Sequence, residues 1–440
     1  MIKKMIIFIL IIIITFILII SNDWIQFNLM TRLVILRGVI SPNCFWYKIS
    51  DMFFKDHSGI NIYNKLKYKN KDFSKVNVFN TNFYLVTNNN YIKTILDNSP
   101  DIFNVGTLKK KFFSSFMNKN VGVSSGCPWK HKRKINDKTL DTGKIHRYSS
   151  YYNDFLEENS HFKENINYND FSDLSKLVMK KIVFNDKNIN NDIVILFSKA
   201  NSIKAFYNNL NINNNIFKNY KNTLNYYINN PKKNSLVELC LKVSNNKEDI
   251  YHQIPHFIFP ILGIFTLTIP RLLCLLCSHR NIFKKIIEEV NSRDLYNLDY
   301  LRKCILETLR LNNPVISMFR TLEKDFNFEN KYFFKKGTEF LILTNPVLRE
   351  KEYFDKPSLF LPERWTKSME YSYYFLSFSQ GPQKCPGKEL VIFLVQSFIF
   401  NFIKINKINK YNLICNKELN IKNIPQVINP CTLEFNIINY

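Results

Sequence analysis

The chain has 440 residues, a formal net charge of +25 and 15% aromatic residues. That length buries a substantial core, in one large domain or two medium ones. Its 61 Lys and Arg are spread along the sequence without the dense patch or module that nucleic-acid binding needs, which excludes that class of partner. Ile, Asn, Lys, Phe and Tyr abound while Ala is scarce, so A/T-rich codons account for part of the charge. A basic surface suits an acidic protein partner or an anionic membrane face. The nine cysteines are odd in number and show no disulfide framework in their spacing. They fit a reducing, cytosol-facing compartment.

The first element is an apolar run from Met5 to Ile20, broken only by Thr15, with Lys3 and Lys4 before it and Asp23 after it. As a helix it covers roughly 24 Å against a hydrocarbon layer of about 30 Å. Trp24 stands at an interface position, and no small-x-small cleavage site follows, so residues 1–24 read as an uncleaved membrane anchor rather than a signal peptide. Arg32, Arg37 and Lys48 oppose the leading lysines in setting its orientation. Val76–Phe79 and Phe83–Val86, separated by Asn80-Thr-Asn, predict a hairpin. Tyr91 to Leu96 predicts a short helix begun by an Asn-rich cap.

From about Asn136 to Leu241, polar clusters alternate with helical apolar spacing, as at Leu174, Leu177, Val178 and Ile182. Asn211–Asn215 and Pro231–Ser235 read as loops. Ile254–Leu276 is strongly apolar, but Pro255, Pro260 and Pro270 predict a long kinked core helix rather than a membrane span. Cys274 and Cys277, three apart, line one apolar face of it, with no further ligands to complete a zinc tetrahedron. Leu301, Ile305, Leu306 and Leu309 mark another helix, and short strand-like runs such as Thr432–Ile437 close the chain. Helices dominate over a small β component, with no internal repeat or domain linker.

The most informative segment is Phe378-Ser-Gln-Gly381-Pro-Gln-Lys-Cys385-Pro-Gly387, followed by an apolar run from Leu390 to Phe400. It reads as a tight loop feeding a buried helix, with the cysteine at the helix entrance. Free N–H groups and the partial positive charge there favour a thiolate, which is a soft metal ligand. The bland alternative is an inert buried cysteine in a Gly-containing turn. The loop resembles the haem-binding signature of cytochrome P-450, Phe-x-x-Gly-x-x-x-Cys-x-Gly. That resemblance implies Cys385 as the axial iron ligand of haem b, with Phe378, Gly381 and Gly387 shaping the cofactor loop. The family usually has Arg or His two residues before the cysteine, pairing with a haem propionate. Here that position is Gln383, with Lys384 next to it.

Other segments carry the same resemblance in the same order. Glu307-Thr-Leu-Arg310 resembles the family's Glu-x-x-Arg element, and Phe360-Leu-Pro362-Glu363-Arg364-Trp365 its Phe-x-Pro-Glu-Arg segment. Glu307, Arg310 and Arg364 would form a structural charge triad, in which planar guanidinium forks share one carboxylate; the plain alternative is a surface ion pair. Trp129-Lys-His-Lys-Arg133 resembles the Trp-x-x-x-Arg element that reaches a propionate, against a solvated basic helix face. Arg320 occupies the place of another propionate-binding arginine. In the oxygen-activating helix the nearest match is Leu262-Gly263-Ile264-Phe265-Thr266. Thr266 is the implied catalytic residue beside the oxygen-binding position, and Phe265 replaces the expected acid. No Asp or Glu occurs from Ile250 to Ile287.

The resemblance covers Val76 to the C-terminus, most strongly Leu301–Gly387. It implies a mainly α fold with small β-sheets (α+β), a single large domain over residues 25–440 around a buried haem. The domain would be cytosolic behind the N-terminal anchor. The implied activity is insertion of one oxygen atom from O2 into an apolar organic substrate, by hydroxylation or oxidative demethylation. Electrons would come from an NADPH-dependent reductase or a ferredoxin. The alternatives are an electron-independent isomerase or dehydratase and a catalytically impaired haem-binding protein. The substrate is not legible, because pocket-lining residues lie in variable loops.

Overall fold

The computed structural model describes residues 22, 25, 27–29, 44–53, 58–78, 81–113, 119–162, 164–191, 193, 214–408 and 410–439. The chain enters through α1 (Cys44–Phe53) and α2 (Ile60–Tyr68) into a hairpin of β1 (Phe73–Val78) and β2 (Thr81–Val86). This is the expected hairpin, with Val76 opposite Phe83 and Val78 opposite Thr81. Val76, Val78, Phe83 and Leu85 are buried, as the two-residue alternation of strand side chains requires. In α3 (Asn89–Asp97) the cap Asn88 accepts from the N–H groups of Asn90 and Tyr91, so the Asn-rich stretch does begin this helix.

Next come β3 (Phe103–Val105), α4 (Thr107–Phe113), α5 (Gly126–Thr139), α6 (Ser149–Asn159) and β4 (Asn165–Ile166). After them α7 (Tyr168–Phe184) buries Leu174, Val178 and Ile182 and is started by a capping box between Asn167 and Asp170. α8 (Asn214–Asn229) and α9 (Leu236–Val243) lead to the centre of the molecule. Of the loop expected at Asn211–Asn215, residues 211–213 lie outside the described residues, and Asn214 already belongs to α8.

The centre is α10 (Lys247–Gly263), a π turn (Ile264–Thr268) and α11 (Ile269–Ser278) run end to end. Pro255 and Pro260 lie inside α10, and Pro270 follows the π turn at the start of α11. α12 (Arg280–Ser292) and α13 (Asp299–Leu311) follow. β5 (Ser317–Leu322), β6 (Phe326–Phe328), β7 (Tyr332–Phe334) and β8 (Glu339–Leu343) form the β-rich quarter. The chain closes with α14 (Lys388–Ile405), β9 (Tyr411–Cys415) and β10 (Phe435–Asn439). The main sheet has the order β1-β2-β8-β5-β3, beside a three-stranded sheet β4-β10-β9 and the pair β6-β7. The fold is mainly helical with small sheets, as expected.

The expected localisation is corrected. The predicted anchor, with Trp24, Arg32 and Arg37, lies outside the described residues. Among the described residues, the helix long and apolar enough to cross a membrane is Lys247–Ser278, in mid-chain rather than at the N-terminus. Of its most apolar stretch, 83% is buried inside the protein, so neighbouring helices cover its apolar surface. This is the long core helix expected there, with a π turn between its second and third prolines. The cysteine expectation is corrected too. Cys44 of α1 is disulfide-bonded to Cys431, a pairing across 387 residues that no local spacing betrays.

Candidate functional site

The loop before α14 is closed by its own backbone. The Cys385 N–H donates to the Phe378 carbonyl at 2.8 Å, and the Lys384 N–H to the Gly381 carbonyl at 3.1 Å. Gly381 has φ +70°, and a Cβ there would stand 2.4 Å from the Leu96 carbonyl oxygen of α3. No side chain fits that approach, which explains a glycine in a chain that has only ten. Gly387 caps α14 and its N–H also reaches the Cys385 sulfur. Burial raises the Cys385 thiol above its ordinary range, and the Gly387 N–H, Arg133 and Lys388 pull it back. Desolvation therefore outweighs the helix entrance in the protein alone. The Phe378 ring stands edge-on to Phe375 at 6.1 Å, beneath the Lys388 ammonium.

Thr266 sits in the π turn, buried, its hydroxyl donating to the Leu262 carbonyl at 2.8 Å. Such turns widen a helix locally and recur at functional positions. The Phe265 ring is fully buried, edge-on to Phe398 of α14 at 5.9 Å. Apolar packing therefore occupies the place of the missing acid. Along α10, otherwise mostly buried, Pro260 is exposed and His256, Phe259 and Gly263 are partly exposed. Their spacing of three and four makes them one stripe along the helix.

The basic residues come from separate elements. On α5, Trp129 is buried and Arg133 lies one turn on. The Arg133 guanidinium donates to the carbonyls of Pro382 at 3.1 Å and Lys384 at 2.6 Å, and its Nε to Asp137 at 2.9 Å. The structure thus brings Arg133 onto the Cys385 loop. Arg320 on β5 donates to the Ser99 hydroxyl at 3.2 Å and to the Phe319 carbonyl at 2.9 Å. Burial pushes its guanidinium down to about 10. Two further groups join it that sequence reasoning passed over. Burial and the Arg320 charge push Lys109 down to about 8, and burial with Lys109 and Arg133 pushes His256 down to about 4. Lys109 sits in a Lys-Lys-Lys run that reads as a solvated face. The one available signal for His256 was its place two helical turns before Gly263.

Glu307, Arg310 and Arg364 meet in the interior. Arg310 clasps Glu307 through two bonds of 2.9 Å, both side chains fully buried, and Arg364 Nε reaches the same carboxylate at 3.1 Å. The Trp365 indole N–H at 3.0 Å and the Leu361 N–H at 3.0 Å complete its acceptor capacity. Trp365 was not foreseen as a partner, although it directly follows Arg364. Arg310 also donates to the carbonyls of Leu348, Pro357 and Leu359, so one guanidinium gathers three backbone segments.

Curated proteins resemble part of this chain. The chain is 33% identical over 125 residues to (21S)-21-acetyl-1-hydroxy-apo-melianone synthase of Melia azedarach, covering 28% of this chain and 25% of that protein. It is 32% identical over 148 residues to cytochrome P450 85A2 of Arabidopsis thaliana, covering 33% and 30%. It is 26% identical over 171 residues to cytochrome P450 4d2 of Drosophila melanogaster, covering 36% and 34%. These matches span only about a quarter to a third of the relatives' own lengths. The profile described as Cytochrome P450 matches residues 162–405, more than half of the chain, and takes in the π turn, the Glu307 network and the Cys385 loop. On that match the chain belongs to the cytochrome P450 family.

Proposed function

We propose that this protein is a haem-thiolate monooxygenase, with Cys385 as the axial ligand of haem b, that inserts one atom of O2 into an apolar organic substrate. Electrons come from a redox partner, an NADPH-dependent reductase or a ferredoxin. The observation that carries this reading is a partly buried thiol at the mouth of α14 with Arg133 on its loop and Arg320 beyond Ser99. Arg320 is a buried cation that no carboxylate meets among the described residues. Such a charge needs an anion, and a haem propionate supplies one. The accessible stripe of α10 also suits a flat group lying between α10 and the loop.

When bound, haem supplies electron uptake and, through its thiolate ligand, O–O cleavage. The chain's own residues do the rest. Trp129, Arg133 and Arg320 orient the porphyrin by its carboxylates. Phe378 shields the sulfur from water. The Thr266 hydroxyl, now donating to the Leu262 carbonyl, would relay a proton taken up from water toward the distal side, a task it carries without the usual neighbouring acid. Glu307, Arg310 and Arg364 take no part in chemistry; they fix the backbone behind the loop.

The buried Phe265 also favours a second reading, rearrangement or dehydration of an oxygenated substrate, which needs no external electrons or protons. Reduction of the purified full chain under carbon monoxide should give the red-shifted Soret band of a thiolate-ligated haem, and Cys385→Ala should lose it. NADPH consumed through a reductase in step with hydroxylated product supports oxygen insertion. Turnover of an oxygenated substrate without reductant supports the second reading instead.

A further inference from the structure

Gln383 leaves the haem without the cation that the resembling family places two residues before its cysteine. The structure offers a replacement on another element. A Cβ built on Gly122 would stand 3.6 Å from His256 Cε1 and 3.7 Å from Lys109 Nζ, so both groups converge on one small space. Lys109 comes from α4, immediately after β3, whose Val105 pairs with Arg320. His256 comes from the accessible stripe of α10. Arg133 closes the set from α5, its charge acting on His256.

The charge balance is specific. Arg133 already holds Asp137. The acids of α10 are Glu248 and Asp249 in its first turn, and they are held by Lys119 at 2.6 Å and His131 at 3.1 Å. α4 contains no acid, and Glu323 lies nearest to Lys110 at 3.9 Å. Two cations of the cluster, Arg320 and Lys109, therefore meet no carboxylate among the described residues. Haem carries two carboxylates. We propose that Lys109, with the His256 ring beside it, binds a haem propionate and supplies the contact that Gln383 does not. This rests on the haem reading above.

The test uses the full chain, reconstituted with protohaem or with protohaem dimethyl ester, and follows haem transfer to apomyoglobin. With protohaem, Lys109→Met should lose haem roughly tenfold faster than wild type, as expected for one charge-assisted hydrogen bond, and Lys109→Arg should restore retention. With the dimethyl ester, wild type and both variants should lose haem alike. Lys109→Met should also melt no lower than wild type as apoprotein, because it removes a partly desolvated cation that no carboxylate meets among the described residues. An unchanged loss rate with protohaem overturns the proposal, as does a difference that survives esterification. It is equally overturned if Lys109→Met leaves haem retention alone but abolishes the spin-state shift given by a long-chain fatty acid and not by its methyl ester, since the lysine then serves a substrate carboxylate. A wild-type chain that takes up haem without the thiolate spectrum refutes the Cys385 reading and leaves the propionate comparison standing.

Discussion

Thr266 and Phe265 stand side by side in the π turn, and their surroundings predict opposite consequences of substitution. The Thr266 hydroxyl donates to the helix backbone, at the Leu262 carbonyl. Thr266→Ala should leave stability within about 1 kcal/mol, since one buried neutral hydrogen bond is lost together with both its gain and part of its desolvation. It should lower product formed per NADPH by roughly tenfold or more if the hydroxyl delivers the proton, and product yield against NADPH consumed measures this. Phe265→Asp, by contrast, removes a ring packed on Phe398 and leaves an unpaired carboxyl among apolar groups. It should cost about 3–5 kcal/mol, seen as a lower denaturation midpoint, before any gain in proton supply registers. His256 predicts a pH effect. Its folded value of about 4 lies below the ordinary 6.5, so the unfolded chain binds the extra proton first. The stabilising contribution is complete above 6.5 and is lost as pH falls from 6.5 through about 4. Apoprotein carrying His256→Gln should show a shallower acid-side fall in melting temperature than wild type.

At the scale of elements, the Glu307 network is where α13 meets the segments at 348, 357–361 and 364–365. Arg310→Lys keeps the charge but loses the fork that reaches Glu307 twice and three carbonyls besides. It should destabilise by about 3 kcal/mol or more, because Glu307 is left buried with its partner misplaced, and thermal denaturation of the pair checks it. These elements also show what a sequence exposes. The Cys385 loop, the Glu307–Arg310 pair and the Arg364 segment were legible because each compresses its chemistry into ten residues or fewer, and a turn glycine or an i, i+3 pair states its geometry directly. The hairpin at Val76–Val86 was legible from alternation, and the core placement of the long apolar helix from its prolines. Lys109 and His256 were not. Their convergence depends on β3 pairing with β5 and on α10 passing beside Gly122, neither of which leaves a local mark. Desolvation of the Cys385 thiol was hidden for the same reason: helix-end electrostatics is written in the sequence, whereas desolvation is set by everything packed around the loop.

Across the whole molecule, the two ends of the described chain are joined at one place. Cys44 of α1 is bonded to Cys431, and Asp51 of the same helix accepts from Asn429 at 2.7 Å. Arg271 of the core helix donates to the Ile428 carbonyl at 2.9 Å and toward the Tyr47 hydroxyl of α1 at 3.3 Å. α1 is thus held to the C-terminal segment by a covalent link, a carboxylate contact and a shared buried arginine. A cross-link over 387 residues restricts the unfolded chain strongly, and the loop-entropy estimate reaches about 6 kcal/mol for a loop of this length. The surviving contacts of Asp51 and Arg271 keep the folded state in place when the bond is absent, so the loss should act through the unfolded chain. Cys44→Ser should therefore lower the melting temperature in non-reducing buffer, and dithiothreitol should bring wild type down to the variant without affecting the variant itself. The thiolate Soret band should stay unchanged in both, because Cys385 lies on a different loop, closed by its own backbone and pressed against α3. A variant that melts like wild type in oxidising buffer would show that Cys44 and Cys431 are not bonded in the folded protein, and non-reducing peptide mapping would then find both thiols free.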